Sequence, residues 1–260
     1  VGDPRETGWY KDRSKLNLNW WYDWGTRDQG GSGVSVMDIM EGNLAADPYY
    51  VPMVWCVKPL DQTRLNSLAQ KYPGRVWLIF NEPDFEGQCG NYLGKTLENT
   101  WYQVGQSTAI TYTMIVSAIK EGDPIARTFC CGMFDPVKPD RGLGFLDGLL
   151  AGLRSISNTL SHDPSWYFDG AHIHGYAGTW SPPTALQHTC PWDDTYGNGA
   201  LNAGCVITNI LNPFPDLMDT ITRTELNGKP IWLSEIGVLR DPLDKPDAWY
   251  PVDRKDVVRQ

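Results

Sequence analysis

The chain has 260 residues, 41% of them hydrophobic and 20% charged, so a core can be buried and global disorder is excluded. Lys and Arg number 22 against 31 Asp and Glu, a formal net charge of −9, which argues against nucleic acid or an anionic membrane surface as a partner. No apolar run reaches the roughly 18 residues that a membrane span needs. The 12 Trp and 12 Tyr exceed what a core of this size requires, and such side chains line grooves for flat, neutral ligands.

In chain order, Leu16–Trp24 (LNLNWWYDW) is predicted as a strand, followed by Tyr49–Val57, Arg75–Asn81, Arg127–Phe134, Phe168–Tyr176 and Pro230–Gly237. These runs are apolar throughout instead of alternating, the mark of parallel strands buried on both faces. Gly33–Ile39 (GVSVMDI) is a further, weaker strand candidate. Helical spacing lies between the runs. Asp61 caps a helix carrying Leu65, Leu68 and Tyr72, stopped by Pro73-Gly74. Leu97, Trp101, Val104, Thr108, Ile115 and Ile119 mark a second, ended before Asp123-Pro124. Leu146, Leu149, Leu150, Leu153 and Ile156 mark a third, and Leu217, Ile221 and Leu226 a fourth, ended by Gly228.

Alternating strands and helices imply a parallel sheet, either open and doubly wound or closed into a barrel. No Gly-rich phosphate loop follows the first strand, as an open dinucleotide-binding sheet would carry. The chemically capable residues end several different strands: Asp23 and Trp24, Asn81 and Glu82, His174 and Tyr176, Glu235. A site assembled from many strand ends is the barrel habit. The expected fold is an α/β (β/α)8 TIM barrel over residues 1–260 as one catalytic domain. After Glu235 the Pro-rich, charged segment Asp241–Gln260 offers no apolar strand. The eighth strand is therefore expected to be absent from this sequence, either missing or cut off by a C-terminal truncation, leaving an open edge between the strand of Glu235 and the first.

In RVWLIFNEPD (Arg75–Asp84) a buried strand ends in Asn-Glu, and Pro83 stops the ladder just past Glu82. In PIWLSEIG (Pro230–Gly237) another ends in Glu235. Either Glu alone reads as a hydrogen-bonded strand-end carboxylate. Two facing each other across a barrel mouth suit glycoside hydrolysis, one as proton donor and one as anion.

Asn81-Glu82-Pro83 with the later Glu235 resembles clan A glycoside hydrolases, in which the Asn-Glu pair ends the fourth strand and a second Glu the seventh. WWYDWG (Trp20–Gly25), YVPMVW (Tyr50–Trp55), FNEPD (Phe80–Asp84), HIHGY (His172–Tyr176) and WLSEIG (Trp232–Gly237) look closer still to the compact β-1,3-glucanases of family 128. By this resemblance Glu82 is the acid/base and Glu235 the nucleophile of a retaining enzyme, with their carboxyls about 5–5.5 Å apart. Asn81 binds the sugar 2-hydroxyl, Tyr176 hydrogen-bonds the nucleophile, and His174 contacts the acid/base or the sugar. Asp23 stands where the family more often has Asn. His172, two residues before His174 on the same face, reads as a satisfied core histidine.

Trp21 alternates away from Trp20, so one face of that strand is core and the other reaches the cleft. Trp24, Trp55 and Trp180 are candidate substrate-binding residues. Trp180 and Trp192, on the long loop Ala177–Gly204, are the preferred stacking platforms. With no CxxC and no His at zinc spacing, neither a metal nor a cofactor is expected. Six cysteines and the trimmed-looking start Val1-Gly2-Asp3-Pro4 suggest a secreted chain. Cys56 and Cys89 follow strand ends on one rim and are placed to form a bridge, and Cys190 and Cys205 to staple part of the loop. Cys130 and Cys131, adjacent on a buried strand, read as free thiols.

The leading reading is a retaining endo-glycosidase acting on β-glucan, with a polysaccharide or oligosaccharide as its partner and neither nucleic acid nor membrane. The alternatives are a carbohydrate-binding pseudoenzyme on the same barrel and a clan A hydrolase of another polysaccharide.

Overall fold

A computed structural model describes residues 19–24, 36–57, 61–136, 138–178, 192–193, 200–201 and 225–239. The strands are β1 (Met53–Val54), β2 (Val76–Ile79), β3 (Arg127–Met133), β4 (Gly170–Gly178), β5 (Trp192–Asp193), β6 (Ala200–Leu201) and β7 (Ile231–Leu239). The main sheet runs β1-β2-β3-β4-β7 with every neighbour parallel, while β5 and β6 form a small antiparallel pair. The expected strand at Leu16–Trp24 contributes a single parallel bridge, Trp21 to Tyr50, on the outer side of β1. Leu16, Asn17 and Leu18 lie outside the described residues.

The helices are α1 (Val36–Ala46), α2 (Gln62–Lys71), α3 (Cys89–Tyr92), α4 (Trp101–Gly122) and α5 (Gly142–Ser155). Asp61 caps α2 by accepting the Arg64 N–H, and Leu65, Leu68 and Ala69 are its buried face. Thr100 and Gln103 form a capping box at the start of α4. Leu97, assigned to that helix from its spacing, precedes it and is fully exposed. The strand candidate Gly33–Ile39 is corrected: from Val36 onward the chain is helical. Met37, Met40 and Leu44 are buried together, and this helical spacing overrides the β-branched valines. Of the fourth expected helix, Leu217 and Ile221 lie outside the described residues, and Leu226 sits in a turn closed by Gly228 at a positive φ.

Every residue of β2 is buried, as expected of a strand covered on both faces. Among the described residues the sheet is not closed: β7 is one edge, and the segment 19–24 lies beyond β1 at the other. Side chains span this seam. The Trp20 ring lies 5.0 Å from that of Trp232, and the Tyr22 hydroxyl reaches Glu235 on β7. The C-terminal ends of β1, β2, β4 and β7 thus share one rim with the segment 19–24.

Candidate active site

Glu82 stands three residues past β2 on a tightly specified turn. Phe80 and Glu82 both take left-handed backbone conformations, at φ 69° and 49°. For residues other than glycine these cost about 1–3 kcal/mol each and persist only where the surroundings over-determine them. Here the Phe80 and Asn81 N–H groups donate to the Val54 and Trp55 carbonyls, and the Glu82 N–H donates to Gly132 O at 2.8 Å. Gly132, at φ 62°, is the site of a register shift in β3. A side chain there would come within 2.7 Å of the His172 ring and 2.9 Å of Phe80 O. The bulge therefore needs glycine, and its carbonyl holds Glu82 in place.

Glu235 arrives on β7, in register with His174 on β4. His174 is fully buried, and its Nδ1 lies 3.0 Å from Glu82 Oε1 and 3.5 Å from Glu235 Oε2. The first segment supplies donors to the other oxygen of Glu235. Tyr22 Oη–H donates to Oε1 at 2.7 Å and Trp24 Nε1–H at 3.0 Å. One donor atom each from Glu82, His174 and Glu235 lie within 4.8 Å of one another. Among the described residues this is the cluster whose spacing suits a cation, and it is equally the spacing of a catalytic carboxylate pair.

The environments of the charged groups differ. Burial pushes the Glu82 carboxyl up; His174 pulls it back only in part, while Glu235 and Asp135 push with the burial. For His174, burial opposes the charge, but the hydrogen bond to Glu82 and the carboxylates of Glu235, Glu82 and Asp84 outweigh it and raise its pKa. His172 is pushed down to about 3, chiefly by burial, so it stays neutral. Its ring nitrogens meet Ser234 Oγ at 3.0 Å and Ile79 O at 3.2 Å, the satisfied core histidine that its position implied. The pair therefore combines one carboxyl whose pKa burial raises, Glu82, with a second, Glu235, held in place by hydrogen-bond donors.

The sequence candidates divide accordingly. Asn81, Glu82, His174, Trp24 and Glu235 come together. Asn81 is buried and Oδ1 has no hydrogen-bond partner among the described residues, while Nδ2 lies 3.5 Å from Gln88 Oε1. Trp24 is 39% exposed, whereas Trp21 is buried against Tyr50, as the alternation implied. Asp23 is also buried, accepting from Asn43 and the Tyr50 hydroxyl, so it does not line the cleft. Trp55 is corrected: it is 3% exposed and packs edge-on against Tyr92, which leaves its ring no open face for a sugar. Tyr176 lies on β4 opposite Gly237, but its side chain, like that of Trp192 on β5, is outside the described part. Trp180, Cys190 and Cys205 also lie outside it.

Cys56 and Cys89 form the expected disulfide, with Cα atoms 5.4 Å apart. The reading of Cys130 and Cys131 as free thiols is corrected, because the two are joined to each other. Adjacency on a buried strand says nothing about pairing. Three residues were not singled out from the sequence. Tyr22 shares a face with Trp20 and Trp24, a ladder legible in the period-two alternation of WWYDW. Tyr92 follows the Cys89 bridge. Asp84, fully buried with a pKa raised to about 6 by that burial, accepts the Phe134 and Asp135 N–H groups at 2.8 Å each. It ties the loop after β2 to the loop after β3.

A glycosyl hydrolase catalytic core family model matches residues 5–117, a span that includes Trp24, Asn81 and Glu82. The match spans less than half of the chain and agrees with the motif resemblance to glycoside hydrolases. No curated protein matches the chain. Among solved structures, the chain is similar to a family 128 (subgroup II) endo-β-1,3-glucanase from Pseudomonas viridiflava, at 20% identity and a TM-score of 0.48, covering 91% of this chain and 65% of that one. It is also similar to a family 44 endoglucanase from Clostridium thermocellum, at 12% identity and a TM-score of 0.42, covering 89% and 53%. A third likeness is to BuGH86wt, solved in complex with neoagarooctaose, at 12% identity and a TM-score of 0.47, covering 91% and 44%. The chain thus spans 65% or less of the length of each of these proteins.

Proposed function

We propose that this chain is a retaining endo-glycosidase that hydrolyses β-1,3-linked glucan by double displacement, on a single (β/α)8 barrel domain. The observation that carries the reading is the carboxyl pair: oxygens of Glu82 and Glu235 lie within 4.8 Å of each other. Retaining enzymes hold their carboxyls about 5–5.5 Å apart, whereas inverting enzymes need about 6.5–9.5 Å to seat a water. The linkage and the endo mode rest on the motif resemblance to family 128. Secretion is part of the proposal and is supported by the Cys56–Cys89 bridge.

The chemistry follows from the environments. Glu82, its pKa raised by burial, gives its proton to the glycosidic oxygen as the bond to the anomeric carbon breaks. Glu235 attacks that carbon and forms an ester. Tyr22 and Trp24 hold its Oε1, so the other oxygen is the natural nucleophile. Water then attacks the same carbon, Glu82 takes the water's proton, and Glu235 leaves as carboxylate. Asn81, whose buried amide oxygen has no hydrogen-bond partner among the described residues, is suited to a substrate hydroxyl. By the motif resemblance, Tyr176 is a further donor to Glu235. His174 is fully buried and acts by positioning Glu82.

Variants with azide test these roles. Glu235→Ala should lose activity, and azide should restore part of it with an inverted glycosyl azide as product. Glu82→Ala should give a retained glycosyl azide, and only from substrates with a good leaving group. The opposite pattern would swap the two roles.

A further inference from the structure

Among the described residues, two exposed aromatic side chains belong to the rim where the strands end: Trp24 at 39% and Tyr92 at 52% exposure. Trp24 bonds Glu235. Tyr92 stands beside the other half of the site. It ends α3, whose first residue, Cys89, donates its N–H to Asn81 O at 3.3 Å. The rise from Cys89 to Tyr92 is only about 4.5 Å. The other exposed aromatics among the described residues, Tyr49 and Tyr102, lie elsewhere: Tyr49 precedes β1, at the opposite end of that strand, and Tyr102 lies on α4.

A four-residue helix has little stability of its own, yet α3 is fixed on several sides. The Cys56–Cys89 bridge ties it to the end of β1. Gly90 brings it against Trp101 so closely that a Cβ would lie 2.6 Å from that ring. The Tyr92 ring meets the buried Trp55 ring in a T-shaped contact, with centroids 5.5 Å apart and planes at 79°. Tyr92 is thereby held by a buried ring on one side while half of the residue stays open to solvent. A rigid, half-exposed ring loses little freedom on binding a flat ligand.

We infer that Tyr92 is a sugar-stacking platform, held by the Cys56–Cys89 disulfide, which binds the apolar face of a pyranose unit of the chain on the Asn81–Glu82 side of the cleavage point. The inference rests on the glycosidase reading and adds a binding subsite to it. A unit at this distance is present in long substrates and missing from the shortest, so the platform governs chain-length preference. Trp24 and Tyr92 then bracket the carboxyl pair.

The test uses the full chain and β-1,3-glucan oligosaccharides of increasing length, with kcat and KM measured for the parent, Tyr92→Ala, Tyr92→Phe and Tyr102→Ala. In Tyr92→Ala the ratio of kcat/KM for long over short oligosaccharides should fall about tenfold, mainly through KM. Tyr92→Phe should keep the parent ratio, as should the off-rim control Tyr102→Ala. The double variant Cys56→Ala, Cys89→Ala should shift the ratio in the direction of Tyr92→Ala. An unchanged ratio in Tyr92→Ala, or an equal loss in Tyr92→Phe, overturns the platform. Calorimetric titration with the same oligosaccharides separates this from the function itself. Binding by an inactive parent, weakened in Tyr92→Ala, would uphold the platform and refute the hydrolase. A parent that neither binds nor cleaves would overturn both.

Discussion

Replacing Tyr22 by Phe removes one oxygen and little else. The ring of Tyr22 is buried between Trp20, 6.2 Å away, and Trp24, 6.0 Å away, so a Phe ring keeps its packing. What is lost is the 2.7 Å hydrogen bond to Glu235 Oε1. A hydrogen bond to a charged group contributes about 1.5–3 kcal/mol. Trp24 Nε1–H remains on the same oxygen at 3.0 Å, and His174 Nδ1 lies 3.5 Å from the other. The loss therefore falls at the lower end, about 1.5 kcal/mol, or roughly tenfold in rate. Because this bond orients the attacking group, the loss should appear in kcat more than in KM. Steady-state kinetics on a β-glucan oligosaccharide, with the melting temperature as a control for folding, would measure it. A kcat within about twofold of the parent, or a loss confined to KM, would refute the assignment of Tyr22 as the residue that orients Glu235.

Other outcomes follow from the same geometry. His174 lowers the Glu82 pKa against the effect of burial, so His174→Asn should raise it further and move the alkaline limb of the kcat/KM profile to higher pH. The His174 pKa is itself raised in the folded chain. Its contribution to stability is full below the ordinary histidine range and is lost as pH rises through the folded-state value, a dependence that urea titrations across pH should find in the parent and not in His174→Asn. Asp84→Ala strands the buried N–H groups of Phe134 and Asp135 at about 1–3 kcal/mol each, and calorimetry should find a melting temperature lower by roughly 4–12 °C. Asp84 holds its proton more tightly folded than unfolded, with a folded pKa of about 6. The parent's stability from this group should therefore fall as pH rises from the ordinary aspartate range to about 6.

The parts of this fold that could be read from sequence are those with a strong local pattern. The runs at Arg75–Asn81, Arg127–Phe134, Phe168–Tyr176 and Pro230–Gly237 are predominantly apolar without a two-residue alternation, and β2, β3, β4 and β7 fall on them. The Asn-Glu-Pro stop was legible because polar residues at the end of a buried strand need a purpose; Glu235, expected to end its strand, instead lies in the middle of β7, which continues to Leu239. Gly33–Ile39 misled because its valines favour a strand locally, while burial of Met37, Met40 and Leu44 on one helical face depends on contacts outside the window. Trp55 looked available because its place at a strand end says nothing of the Tyr92 ring that covers it. Tyr22 escaped notice although the alternation held it, since the partner it serves is on β7, at the far end of the chain. The Asp84 clamp depends on two loops meeting, which no local pattern announces.

The stereochemistry of the first product tests the central claim most directly. Proton NMR, recorded as a β-1,3-glucan oligosaccharide is cleaved and before mutarotation, distinguishes the anomers of the new reducing end. Double displacement through Glu235 requires that the β-anomer appear first and then relax towards equilibrium. An α-anomer as first product would mean a single displacement by water, and would contradict the covalent role of Glu235 and the account built on carboxyl oxygens that lie within 4.8 Å of each other.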